Sequence, residues 1–106
     1  MACIGEIIVS PGEEYAAGSY WFNWRKNLDP ISDTLHSVTV LVLDEADEDV
    51  TTTITPAGVI LDATAKRTAC IMKAFVAGKS YRVFHTIVSH AGQHFTDHIV
   101  VHCNAE

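Results

Sequence analysis

The chain has 106 residues, 48% of them apolar, and a formal net charge of −6. That length predicts one domain, residues 1–106, with enough apolar content for a core, which weighs against a disordered chain. The acidic balance weighs against general binding to nucleic acid or an anionic membrane, and no apolar stretch approaches the roughly 20 residues of a membrane span.

The first stretch, "MACIGEIIVSPGEE", has no basic lead and no adequate apolar run, so no secretory signal is expected. Cys3, Cys70 and Cys103 are odd in number, widely spaced and without a C-x-x-C pair. They are expected to be buried reduced thiols of a chain made in a reducing cytoplasm, not a disulfide framework or a thiolate zinc site.

In chain order, "EIIVS" reads as a strand stopped by Pro11-Gly12. "GSYWFNW" alternates, with Tyr20, Phe22 and Trp24 on the core face and Trp21 and Asn23 on the other. "NLDPISD" reads as a loop, because Asp29-Pro30 opposes helix there. "TLHSVTVLVL" is dense in β-branched residues and predicts a strand with both faces covered. "DEADED" breaks it, "VTTTITP" predicts a Thr-rich strand, and "VILD" predicts another. In "AKRTACIMKAFVAGKSY", Ala65, Ala69, Met72 and Phe75 fit a helix, but alternation also fits, and a strand over Thr68–Phe75 is preferred.

The last two strands form a hairpin about "HAGQ", with Gly92 as the turn residue. Tyr81, Val83, His85 and Ile87 share a face on the first. Phe95, Asp97, Ile99, Val101 and Cys103 share one on the second, opposite His94, Thr96, His98, Val100 and His102. The fold class is therefore all-β: an Ig-like β-sandwich of seven to eight antiparallel strands.

Two stretches carry a resemblance. "SYWFNWRKNLDPISDTLHSVTV" is an aromatic strand, an acidic loop and a Ser/Thr/Val strand. "AGKSYRVFHTIVSHAGQHFTDHIVVHC" is Gly-x-x-Tyr-x-Val, then Ile-x-Ser-x-x-Gly, then an alternating last strand. In that order they resemble the small Ig-like virion proteins of tailed bacteriophages, the phage fibre–tail adaptor family, over roughly residues 12–103. Members typically show aromatic-Asp-Trp and an acidic D-x-I loop; here these stand as Phe22-Asn23-Trp24 and Asp33-Thr34-Leu35. The chain departs at Asn23, in the longer acidic insertion from Asp44 to Asp49, and in its His-rich final hairpin. The resemblance implies a non-enzymatic structural protein of the virion, made in the host bacterial cytoplasm. It would join fibres to the tail or neck, with a capsid decoration or cement protein as the alternative. Its partners would be tail, fibre or capsid subunits and further copies of itself, with no nucleic acid, membrane or cofactor. A stand-alone carbohydrate- or metal-binding sandwich is the alternative of another class.

His90, His94, His98 and His102 recur every four residues. On a helix they would share a face at about 6 Å steps, a metal-ligand spacing. On a strand each step is about 13 Å, too long for neighbours to share one ion. Only His90 and His94, flanking the turn, are candidates to approach across strands, and zinc wants a third or fourth ligand. His94, His98 and His102 are instead expected to form a contact surface, with a pH-sensitive contact as a further possibility. Trp21 and Asn23 are the other candidate interface residues, because outward Trp is enriched at binding hot spots. His85 is expected to be a hydrogen-bonded core residue. The acidic run from Asp44 to Asp49 fails the EF-hand test, lacking Gly at its sixth position and Glu at its twelfth. No serine lies in a G-x-S-x-G context, and no phosphate loop or dinucleotide fingerprint occurs, so an enzyme is not expected.

Overall fold

A computed structural model describes residues 2–11, 21–56, 58–64 and 66–104, with side chains from residue 5 onward. Among the described residues, seven strands form two sheets: β1 (Ala2–Val9), β2 (Phe22–Asn23), β3 (Leu35–Leu43), β4 (Val59–Asp62), β5 (Arg67–Cys70), β6 (Ser80–Ser89) and β7 (His94–Cys103). The strand orders are β1-β7-β6-β3 in one sheet and β2-β5-β4 in the other. This is the expected Ig-like β-sandwich. One departure is that β1 runs parallel to β7, while every other strand pair is antiparallel. No hairpin joins these two strands, so no tight turn forces them antiparallel.

Alternation builds the core. Tyr81, Val83, His85, Ile87 and Ser89 of β6 are buried, as are Asp97, Ile99, Val101 and Cys103 of β7. They meet Phe22, Trp24, Cys70, Met72 and Phe75 from the opposite layer. The Tyr81 hydroxyl accepts the Val76 N–H at 2.9 Å, and its ring lies edge-on to Phe75 at 5.1 Å. This is the tyrosine corner of Ig-like sandwiches. Two residues after that tyrosine, where immunoglobulin domains carry an inter-sheet cysteine, stands Val83. Cys70 and Cys103 are both buried free thiols, as expected. The Cys3 thiol, Tyr20 as a core residue, Gly12 in the first turn and Ala65 all lie outside the described residues.

Three local expectations give way. "NLDPISD" is not an open loop: it forms α1 (Arg25–Leu28) and a 3-10 turn (Asp29–Ile31). Pro30 occupies an early position of that turn, where its missing N–H leaves no bond unmade. "VTTTITP" is not a strand but one helical turn, α2 (Thr51–Ile54). Asp49 sets that turn: its carboxylate accepts the Thr51 N–H at 3.0 Å and the Thr51 hydroxyl at 2.6 Å. Threonine's strand preference loses to this side-chain competition. β5 ends at Cys70 rather than Phe75, because the chain turns under α2: the Lys73 N–H bonds the Ile54 carbonyl, and Ala74 takes φ 62°.

Candidate interaction face

The outer face of the four-stranded sheet presents Glu6 and Ile8 from β1, the even-numbered residues of β7 and β6, and Ser37, Thr39, Leu41 and Leu43 from β3. Phe84 lies at its centre. It points away from the core yet is only 7% exposed, because its neighbours close over it. The His98 ring sits 4.9 Å from it, the Arg82 guanidinium 5.8 Å from its centroid, and Leu41 is its partner on β3. A shallow groove of about 490 Å³ runs past it, lined by Leu41, Leu43, Phe84, Thr86, Thr96 and the Arg82–Asp47 ion pair. The acidic run closes this end of the face. The Asp44 carboxylate accepts the Ala46 and Glu48 N–H groups, and Glu45 accepts the Ser80 N–H at 2.8 Å. Those carboxylates are thus occupied in fastening a loop.

The histidines of β7 form a row along this face. His94 is exposed opposite Val88, and His98 packs on Phe84. His102 shares a 2.8 Å hydrogen bond with the Ser80 hydroxyl and approaches Glu6 at 3.7 Å. The His98 Nδ1 is buried and has no hydrogen-bond partner among the described residues. His90 and His94 do not meet. The turn carries His90 away to the Thr34 hydroxyl at 2.7 Å and edge-on to His36, ring centroids 4.9 Å apart. His36 stands where the β3–β6 register shifts, and such an irregularity re-aims a side chain. Among the described residues, no group of three or more His, Cys, Asp or Glu is placed to hold a metal ion.

Trp21 and Asn23 lie on the other sheet, away from the histidine row. Trp21 is half-buried under the Arg67 guanidinium, 4.1 Å from its ring centroid, and Arg67 in turn bonds Asp62 at 3.1 Å. Asn23 is exposed, and its side-chain oxygen accepts the Arg25 N–H at 3.0 Å, holding the entry to α1. The five residues named from sequence therefore fall on two opposite faces. Phe84 and Leu41, which organise the outer face, were not among them. The available signal was the large apolar residue Phe84 standing out of phase among Arg82, Thr86 and Val88.

Between the sheets runs a polar chain. The Trp24 indole N–H donates to the Thr68 hydroxyl at 2.9 Å, and that oxygen lies 2.8 Å from the His85 Nδ1. An indole can only donate. The assignment that satisfies both neighbours sends the Thr68 proton to Nδ1, so His85 carries its own proton on Nε2. That proton points at the Cys70 sulfur, 3.8 Å away. Cys70 is bonded to Thr55, whose hydroxyl donates to the Gly58 carbonyl at 3.0 Å. The His85 ring stacks on Phe22 with centroids 3.8 Å apart. Burial pushes the His85 pKa down to about 3 and the Cys70 thiol up to about 11. Both are neutral at pH 7, so this Cys–His pair does not supply the thiolate that a nucleophile needs.

No protein-family model matches the chain, and no curated protein matches it. In fold it is similar to part of a solved structure, the 2,6-sialyltransferase of Vibrionaceae Photobacterium sp. JT-ISH-224, in a ternary complex with the donor product CMP and the acceptor substrate lactose. The TM-score is 0.51 at 8% identity, covering 99% of this chain and 18% of that one. At that identity the likeness is one of fold alone, and the chain spans less than a fifth of the enzyme's length.

Proposed function

We propose that this chain is a non-enzymatic structural protein of a tailed-phage virion, an adaptor between fibres and the tail or neck. In this reading it works by docking the outer face of its four-stranded sheet against a neighbouring virion protein. The observation that carries the docking part is the Phe84 cluster. An aromatic residue and an arginine, two types enriched at protein interfaces, stand together on this face beside a groove. The virion part comes from the sequence resemblance, whose two stretches form β2 to β3 and β6 to β7.

Cryo-electron microscopy of the intact particle tests the assignment. Density for the sandwich at the neck or tail, with the Phe84 face against a neighbour, is the expected result. Density on the capsid lattice would move the chain to a decoration role. Absence from purified particles would end the virion reading.

A further inference from the structure

The turn that parts His90 from His94 brings His90 to His36. The two rings stand with centroids 4.9 Å apart, and both residues are exposed. A transition metal binds an imidazole nitrogen at about 2.0–2.1 Å, and the ring centroid lies about 1.1 Å farther along that line. Two imidazoles on one ion, at angles between square-planar and tetrahedral, therefore hold their centroids about 4.4–5.2 Å apart. The His36–His90 pair already stands at that separation. Along β7, by contrast, each step of the histidine row is about 13 Å.

Both histidines are positioned from behind. His36 stands where the β3–β6 register shifts between Leu35 and Ser37, which turns its side chain toward the hairpin tip. His90 is fastened twice to one residue. Its backbone N–H donates to the Thr34 carbonyl at 3.1 Å, and its ring Nδ1 lies 2.7 Å from the Thr34 hydroxyl. Metal-binding histidines use their second ring nitrogen in this way, which fixes both ring and tautomer. With Nδ1 donating its proton to the Thr34 oxygen, Nε2 carries the lone pair that an ion needs. The Asp33 carboxylate, tied to the same tip through the Ala91 N–H, interacts electrostatically with His90 and adds negative charge beside it.

We propose that His36 and His90 form an open two-imidazole site for a late first-row divalent cation, with copper(II) held more tightly than nickel(II) or zinc(II). Imidazole suits all three ions, and their affinities for one nitrogen site follow that order. Magnesium and calcium take oxygen ligands and do not compete. Two protein ligands leave the other coordination positions to water, in keeping with the lack of a three-residue cluster among the described residues. A bound ion would join the start of β3 to the β6–β7 tip. The site stands on its own geometry and not on the virion reading.

Calorimetric titration of the purified chain with copper(II), nickel(II), zinc(II) and magnesium salts tests it, with electron paramagnetic resonance of the copper complex. The expected result is one copper ion per chain, weaker nickel and zinc, no magnesium, and a spectrum split by two nitrogens. His36→Gln and His90→Gln should each lower copper affinity at least tenfold. Both positions are exposed, so the melting temperatures without metal should match that of the parent. His94→Gln removes the exposed histidine beyond the turn and should bind copper as the parent does. A parent chain that takes up no copper overturns the proposal. So does parent-like affinity in His36→Gln or His90→Gln, a spectrum showing a single nitrogen or a bound sulfur, or loss of binding in His94→Gln.

Discussion

At the scale of single residues, Thr68 and His85 hold the two layers together where immunoglobulin domains use a covalent bridge. Thr68 is fully buried and serves Trp24 and His85 at once. Thr68→Val keeps the shape and strands both partners, each unmet buried group costing about 1–3 kcal/mol. Urea unfolding should show a loss of about 2 kcal/mol or more, and Thr68→Ser should recover most of it. His85 makes the same region acid-sensitive. Its folded pKa, about 3, lies below the usual 6.5. Between those values the unfolded chain binds the proton and the folded chain does not, so stability falls as pH falls. The contribution is fully present above about pH 6.5 and declines by up to about 1.4 kcal/mol per pH unit down to about pH 3. His85→Gln should be less stable than the parent at pH 7 and lose less on going to pH 4. Equal losses would show that His85 is not the titrating group.

Among the elements, the β6–β7 hairpin depends on a loop distant in sequence. Asp33 follows the 3-10 turn and ties that loop to the hairpin tip. Ser89 donates to it from its side chain, the Ala91 N–H reaches it at 3.3 Å, and the Thr34 N–H at 2.8 Å. These hydrogen bonds, Ser89 foremost, hold the Asp33 carboxyl below the usual aspartate range. The tie is therefore complete above about pH 4 and is lost as the pH falls through the lowered value. Asp33→Ala should speed amide exchange at Ala91 and His90, while Val83 and Ile99 exchange as before. Unchanged exchange at the tip would show that the turn holds itself. The hairpin itself was legible, because Gly92 and two alternating strands are local signals. Its tether was not, since Asp33 and Ala91 lie 58 residues apart. The same contrast explains the rest. Phe22, Trp24 and His85 could be assigned inward from strand period alone. The early end of β5 and the His36–His90 contact each depend on a long-range partner or a register shift, and the α2 turn depends on the Asp49 carboxylate bonding Thr51. No periodicity encodes those.

For the whole molecule, the consequence is a sandwich in which no disulfide joins the layers among the described residues. Cys70 and Cys103 are buried, and neither forms a disulfide. Cys70 and Cys103 belong to the hydrophobic core instead, beside Trp24, Val83 and Ile99. In a small domain a native disulfide contributes about 2–4 kcal/mol, and each kcal/mol moves the melting temperature of a chain near 100 residues by about 4–8 °C. A bridge would therefore reveal itself as a fall of roughly 10 °C or more on reduction. Thermal unfolding with and without a strong reductant should instead coincide, because apolar burial and the Trp24–Thr68–His85 chain do not depend on redox state. If reductant lowers the melting temperature of the parent by several degrees, the core is cross-linked and the thiol assignment is wrong. Coincident curves would leave inter-sheet cohesion to the packing and hydrogen bonds around Thr68, where Thr68→Val then measures it directly.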